Sequence, residues 1–131
     1  MKKVLVISAS PRKNGNSDLL CDEFVRGASE AGHAVEKIRL AEKSVGFCSG
    51  CYACQKLKKC CKNDDANEIV EKMLSADVIV LATPVYFYSM DAQLKALIDR
   101  TVSRWEDFGR FNGTGIAWNL LPDFDRVIVQ P

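Results

Sequence analysis

Histidine is all but missing from this sequence, with His33 as its only representative. A Ser-His-Asp arrangement would need that residue at the carboxyl ends of strands, whereas His33 opens a strand at the opposite end, so hydrolysis is disfavoured. Net charge is missing as well: 18 basic and 17 acidic residues leave +1. No global field therefore gathers nucleic acid or an acidic membrane surface. Long apolar runs are absent too. The longest, Val4 to Ala9 and Val78 to Ala82, fall far short of the ~20 residues a membrane-spanning helix needs. Neither G-x-G-x-x-G after a strand nor G-x-x-x-x-G-K-[ST] occurs, which leaves the dinucleotide fingerprint and the P-loop unsupported. The N-terminal apolar run ends at Ser8 to Pro11 without a small-residue cleavage site, so it reads as a strand and not as a secretory signal. A cytoplasmic, reducing location is expected. There the six cysteines suit metal binding or redox chemistry better than a disulfide framework.

What is present describes one α/β domain over residues 1–131. Lys3 to Ser8 is a continuous β-branched run of the kind buried on both faces of a parallel sheet. Leu20, Phe24, Ala28 and Ala31 then recur at helical spacing, with Asn16 or Ser17 placed to cap the helix and Gly32 to end it. His33 to Leu40 reads as a second strand, completing a βαβ unit. Ala41 to Asn63 is a loop holding five cysteines, and a long loop in a small domain suggests function. Asp64-Asp65 offers a cap for a helix bearing Ile69, Val70, Met73 and Leu74. Asp77 to Ala82 is a third buried strand, and Met90, Leu94, Leu97 and Ile98 mark a further helix running to about Arg104. A parallel sheet with helices on both faces is expected. Beyond Trp105 the signals weaken to two short candidate strands, Thr114 to Trp118 and Arg126 to Val129.

The strongest functional signal is the connection from Ser8 to Ser17. A phosphate needs convergent donors, and this loop supplies the hydroxyls of Ser8, Ser10 and Ser17, the amide of Asn16, backbone N–H groups and a helix N-terminus. Its bland alternative is a polar connection capped by Asn16. A second loop, Thr83-Pro84-Val85-Tyr86-Phe87-Tyr88-Ser89, also follows a strand. In open parallel sheets ligands bind at such carboxyl ends, so both loops can face one crevice. Backbone groups of Val85 to Phe87 suit the polar edge of a flat heterocycle, and Tyr86 and Phe87 supply stacking surface, although aromatics here can also simply cover the core. Cys21 reads as a buried apolar filler. Trp105 and Trp118 suit a flavin cover or the core equally.

Ser8-x-Ser10-Pro11-Arg12-x-x-Gly15-Asn16-Ser17, Thr83-Pro84-Val85-Tyr86 and Ala92-Gln93-Leu94-Lys95-Ala96-Leu97-Ile98-Asp99-Arg100 together resemble the NADPH-dependent FMN reductase family. Within it the nearer match is to iron-sulfur flavoproteins and their cluster-lacking relatives. The resemblance spans Lys3 to Arg104 and implies a flavodoxin-like three-layer fold. It implies that Ser8, Ser10, Arg12, Asn14, Asn16 and Ser17 hold FMN by its phosphate, and that Thr83, Pro84, Val85, Tyr86 and Phe87 border the isoalloxazine ring. It further implies an oxidoreductase that moves electrons from reduced nicotinamide, NAD(P)H, through FMN to an acceptor, assembled as a dimer or tetramer. No side chain needs to act as acid or base, because the cofactor performs the hydride chemistry. Such relatives continue with a fourth strand, a glycine-rich loop, a fifth strand and a closing helix, a pattern that Gly109 to Pro131 does not follow; a C-terminal part that is short or incomplete is the expectation.

The remaining motif is Cys48-x-x-Cys51-x-x-Cys54 followed by Cys60. Four thiolates at such spacing suit a [4Fe–4S] cluster or tetrahedral zinc. The resemblance favours the cluster and selects Cys60 over Cys61 as fourth ligand. Free thiols in a loop are the competing reading, a non-catalytic electron carrier and a zinc-stabilised module the competing functions. Lys56, Lys58, Lys59 and Lys62 would offset a cluster's negative charge and lower the cysteine pKa values, yet also suit a merely solvated loop.

Overall fold

The computed structural model describes residues 1–108; the candidate strands at 114–118 and 126–129, and Trp118, lie outside the described residues. Three strands, β1 (Lys3–Ser8), β2 (Ala34–Arg39) and β3 (Val78–Ala82), form a parallel sheet in the order β2-β1-β3. Lys3 lies opposite Ala34 and Val4 opposite Val78, which carries Ser8 level with Arg39 and Ala82 at the carboxyl edge. The sheet is the parallel one the alternation of segments implied.

Burial explains why β1 carries apolar residues without alternation. Val4 and Val6 point to one face, where they meet Cys21, Val80 and Ala82 beneath α1 (Asn16–Glu30). Leu5 and Ile7 point to the other and join Ile69, Val70 and Met73 of α3 (Ala66–Ser75) and Leu94 and Leu97 of α4 (Ala92–Arg100). A central strand covered on both faces must be apolar at every position, and each such side chain contributes roughly 1.5–3 kcal/mol on burial. Cys21 is the buried filler expected of it, and its apolar surroundings push the thiol pKa up.

Three details of the helices differ from the sequence expectation. Gly15, in extended conformation, takes the N-cap position of α1, and neither Asn16 nor Ser17 caps with its side chain. The face of α1 turned to the sheet runs through Ser17, Asp18 and Cys21, so Leu20 and Ala31 are exposed. Gly32, at φ 82°, ends the helix as expected. At α3 the capping role falls to Asp64, whose Oδ1 accepts from the Ala66 N–H at 3.1 Å, while Asp65 accepts from the Ser44 N–H at 2.7 Å. The helix expected to reach Arg104 is divided: α4 ends at Arg100, a 3₁₀ turn covers Thr101–Arg104, and a short α5 (Trp105–Phe108) follows. The cysteine loop contains a 3₁₀ turn at Leu40–Glu42 and the single helical turn α2 (Cys54–Leu57). His33 precedes β2 at the amino edge of the sheet, where its Nδ1 accepts from the Lys2 N–H.

Candidate functional site

The order β2-β1-β3 puts the chain's reversal of direction between β1 and β3, and in open parallel sheets the loops leaving two such strands are the ones that flank a ligand. The first of them is the phosphate-loop candidate. The first helical hydrogen bond of α1 runs from the Leu19 N–H to the Gly15 carbonyl at 2.9 Å, which leaves the N–H groups of Asn16, Ser17 and Asp18 without helical acceptors. No side chain caps this end. These are the donors an anion uses at a helix N-terminus. The loop is drawn in tightly: the Ser10 hydroxyl donates to the Arg12 carbonyl at 3.1 Å, and a Cβ on Gly15 would lie 3.2 Å from Ser10 Oγ and 3.4 Å from the Arg12 carbonyl oxygen. Glycine is needed here for close approach and not for its dihedral angle, since its φ is −69°.

Asp18, which the sequence did not mark, organises the inner side of this loop. Its buried carboxylate accepts from the Ser8 hydroxyl at 2.9 Å and from the Asn14 N–H at 3.1 Å, and it pairs with Lys37 at 2.8 Å and Arg39 at 3.4 Å. Burial opposes its charge, but Lys37, the Asn14 N–H and the Ser8 hydroxyl outweigh that and hold the carboxyl at about 2. The Ser8 hydroxyl is therefore engaged by the protein itself. Ser10 and Ser17 are buried at the loop's heart, Asn16 is exposed at the helix start, and Arg12 and Asn14 are exposed on the rim.

The loop after β3 is a strained hairpin. Thr83 Oγ1 accepts from the Asp91 N–H at 3.0 Å and donates to the Pro84 carbonyl at 2.9 Å, which ties the two ends together; Asp91 then caps α4 through the Leu94 N–H at 3.1 Å. Tyr86 and Ser89 exchange backbone hydrogen bonds of 2.9 and 3.1 Å, leaving Phe87 and Tyr88 as the central pair at φ 45° and 67°. Positive φ at both central positions is the geometry of a type I′ turn, which favours asparagine and glycine. Here two aromatics stand 96% and 95% exposed, their rings edge-to-face at 5.8 Å. Left-handed geometry costs an L-residue roughly 1–2 kcal/mol. Replacing Phe87-Tyr88 with Asn-Gly is accordingly expected to raise the melting temperature of the ligand-free protein. A melting temperature unchanged or lowered in calorimetry would show that the turn carries no strain.

The third element is the cysteine loop. Cys48, Cys51, Cys54, Cys60 and Cys61 line one cavity of about 510 Å³, to whose lining Arg100 and Val102 to Asp107, Trp105 included, also belong. Asn67 holds the Cys60 backbone on both sides, accepting its N–H at 3.1 Å and donating to its carbonyl at 2.9 Å. Cys51 and Cys61 face each other with sulfurs 3.6 Å apart. The Ala53 N–H and then the Cys61 thiol draw the Cys51 pKa below the ordinary value, and the same contact pushes Cys61 up. Among the described residues, no three Cys, His, Asp or Glu side chains gather closely enough to grip a single ion. Two of the lysines have partners of their own. Lys62 donates to the Phe47 carbonyl and lies 4.4 Å from the centre of that ring, and Lys58 pairs with Glu106 at 3.2 Å.

A buried ion pair joins this loop to α4. Arg100, 1% exposed, gives Nη1 and Nη2 to the two carboxylate oxygens of Asp64 at 2.7 and 2.9 Å, and Nη1 also donates to the Gly46 carbonyl at 2.9 Å. Asp64 further accepts from the Gly46 N–H at 2.9 Å. The sequence offers Asp64 only as a possible cap and Arg100 only as part of a helix; nothing local signals a pairing across 36 positions.

The sequence pattern described as NADPH-dependent FMN reductase matches residues 2–117 of this chain. The chain belongs to the NADPH-dependent FMN reductase family. An iron-sulfur flavoprotein of Methanocaldococcus jannaschii is 46% identical over 99 residues, which cover 76% of this chain and 51% of that protein. One from Methanosarcina thermophila is 39% identical over 119 residues, covering 90% of this chain and 62% of its own length. Among solved structures a flavone reductase superposes with a TM-score of 0.64 at 28% identity, covering 98% of this chain and 41% of that one. The chain spans about half to three-fifths of the length of these iron-sulfur flavoproteins. Its fold is flavodoxin-like.

Proposed function

We propose that this chain is the FMN-binding unit of an oxidoreductase that takes electrons from reduced nicotinamide, NAD(P)H, and passes them through FMN, and through a [4Fe–4S] cluster, to an acceptor. The observation that carries the reading is the uncapped start of α1 at the β1/β3 crevice, with its free N–H groups and the Ser10 and Ser17 side chains beside it. In this reading Ser10, Asn16 and Ser17 hold the FMN phosphate, Arg12 and Asn14 guard its rim, and Ser8 braces Asp18 behind it. Thr83, Pro84, Val85, Tyr86 and Phe87 border the ring, the strained turn presenting its aromatics at the crevice. The flavin supplies two-electron hydride acceptance and one-electron release, and the cluster one-electron relay. The side chains need only bind, orient and exclude water.

For the metal centre, Cys48, Cys51, Cys54 and Cys60 are the proposed ligands. They stand around the wall of one cavity instead of converging on a point. A cube of iron and sulfide separates its ligand sulfurs more widely than a single tetrahedral ion does, so the spread donor set suits the cluster better than zinc. A dimer or tetramer working in the cytoplasm completes the proposal.

Anaerobic reconstitution tests it. About four irons and four acid-labile sulfides per chain are expected, lost in Cys48→Ala. Zinc, or no metal, in a preparation competent for cluster assembly would defeat the cluster. Stopped-flow mixing of the FMN-loaded protein with NADPH should bleach the flavin absorbance; a flavin that NADPH and NADH leave oxidised would point to a carrier fed by another protein.

A further inference from the structure

Arg100 holds a donor that its ion pair does not use. Both terminal nitrogens are committed to Asp64 and the Gly46 carbonyl, while Nε is buried and has no hydrogen-bond partner. A buried guanidinium N–H left bare is costly and calls for a physical reason. The side chain forms part of the wall of the cavity lined by the cysteines. Of those cysteines, Cys60 is the one whose side chain interacts with the guanidinium. Cys60 is also the one held at its backbone by Asn67 on both sides. A buried donor without an acceptor and a cysteine held in place by its backbone thus belong to the wall of one cavity.

We propose that Arg100 is a positioning residue for the thiolate centre, its Nε–H directed at the sulfur of Cys60 and donating to it when that sulfur is a metal ligand. The cluster itself rests on the function proposed above; the contact between Arg100 and Cys60 does not. A donor and a buried positive charge beside a ligand sulfur stabilise the more negative, reduced state of the centre, so Arg100 raises its reduction potential. Lysine keeps the charge and an attraction to Asp64 but lacks the planar fork, and is not equivalent.

The experiment has two arms. In ¹⁵N-labelled, metal-free, anaerobic protein, the Nε–H resonance of Arg100 is assigned through its own side chain and compared in Cys60→Ala and Cys61→Ala. It should move in the first and stay in the second; a resonance unmoved by Cys60→Ala overturns the proposal. This arm keeps Arg100 and Asp64 intact, so it does not depend on whether an Arg100 variant folds. In the second arm, iron–sulfide-reconstituted wild type and Arg100→Lys are compared by potentiometric titration at matched iron content. The variant's midpoint should lie more negative by about a tenfold change in the reduction equilibrium, ~59 mV for one electron. A lowered melting temperature with an unchanged potential would show a purely structural ion pair and overturn the tuning role. Wild-type protein that takes up no iron would defeat the cluster reading alone, because the resonance arm still decides the contact.

Discussion

Replacing Asp64 with alanine is expected to destabilise the protein by about 3–5 kcal/mol, because it strands the buried Arg100 charge without a partner. That is a large share of the ~5–15 kcal/mol by which domains are stable. The same carboxylate accepts the Gly46 and Ala66 N–H groups, so the start of the cysteine loop and the cap of α3 are released together. Urea unfolding should show the lower midpoint, and the loop cysteines should react faster with a thiol reagent; a loss below ~1 kcal/mol would mean that Arg100 finds another partner. Acid reads out the same pair. Arg100 first, with the Gly46 and Ala66 N–H groups, holds Asp64 at about 2, and Asp18 also lies at about 2. Both folded values lie below the ~3.9 of an unfolded aspartate. Each carboxylate therefore contributes stability that is complete above the unfolded value and is lost as pH falls through about 2. Stability should drop steeply between about pH 4 and pH 2, and less steeply in Asp64→Ala, which has one of these groups fewer.

Loss of FMN binding is the second large effect expected. Changing Ser10, Asn16 and Ser17 together to alanine removes the side-chain donors proposed for the phosphate while leaving Asp18 and its partners in place. Hydrogen bonds to a charged group contribute ~1.5–3 kcal/mol each, so three of them imply an affinity at least about a thousandfold weaker. Fluorescence titration of the variant with FMN measures this directly, and far-ultraviolet dichroism confirms that α1 still forms. Affinity within a few-fold of wild type would move the phosphate elsewhere. The N–H groups of α1 survive in this variant, so residual weak binding is consistent with the assignment.

The sequence alone determined the layers of this fold and the loops that carry its chemistry. Continuous apolar runs at β1 and β3 and helical spacing in α3 and α4 are local signals, set by which faces each segment buries. The phosphate-loop candidate and the cysteine spacing are local too, since their residues lie within a few positions of one another. Tertiary structure alone decided what joins distant segments. Asp64 meets Arg100 across 36 positions and Asp18 meets Lys37 across strands and helix; neither charge is readable as buried until its partner is in place. The sequence placed a stripe through Leu20 and Ala31, yet docking of α1 through Asp18 and Cys21 left both exposed, because an ion pair behind the phosphate loop sets the helix's rotation. The approach of Cys51 to Cys61, and of Arg100 to the cavity wall, likewise follows from how the loop folds back over α4. Spacing can nominate cysteines as ligands, but only the packed chain sets which sulfur faces which neighbour.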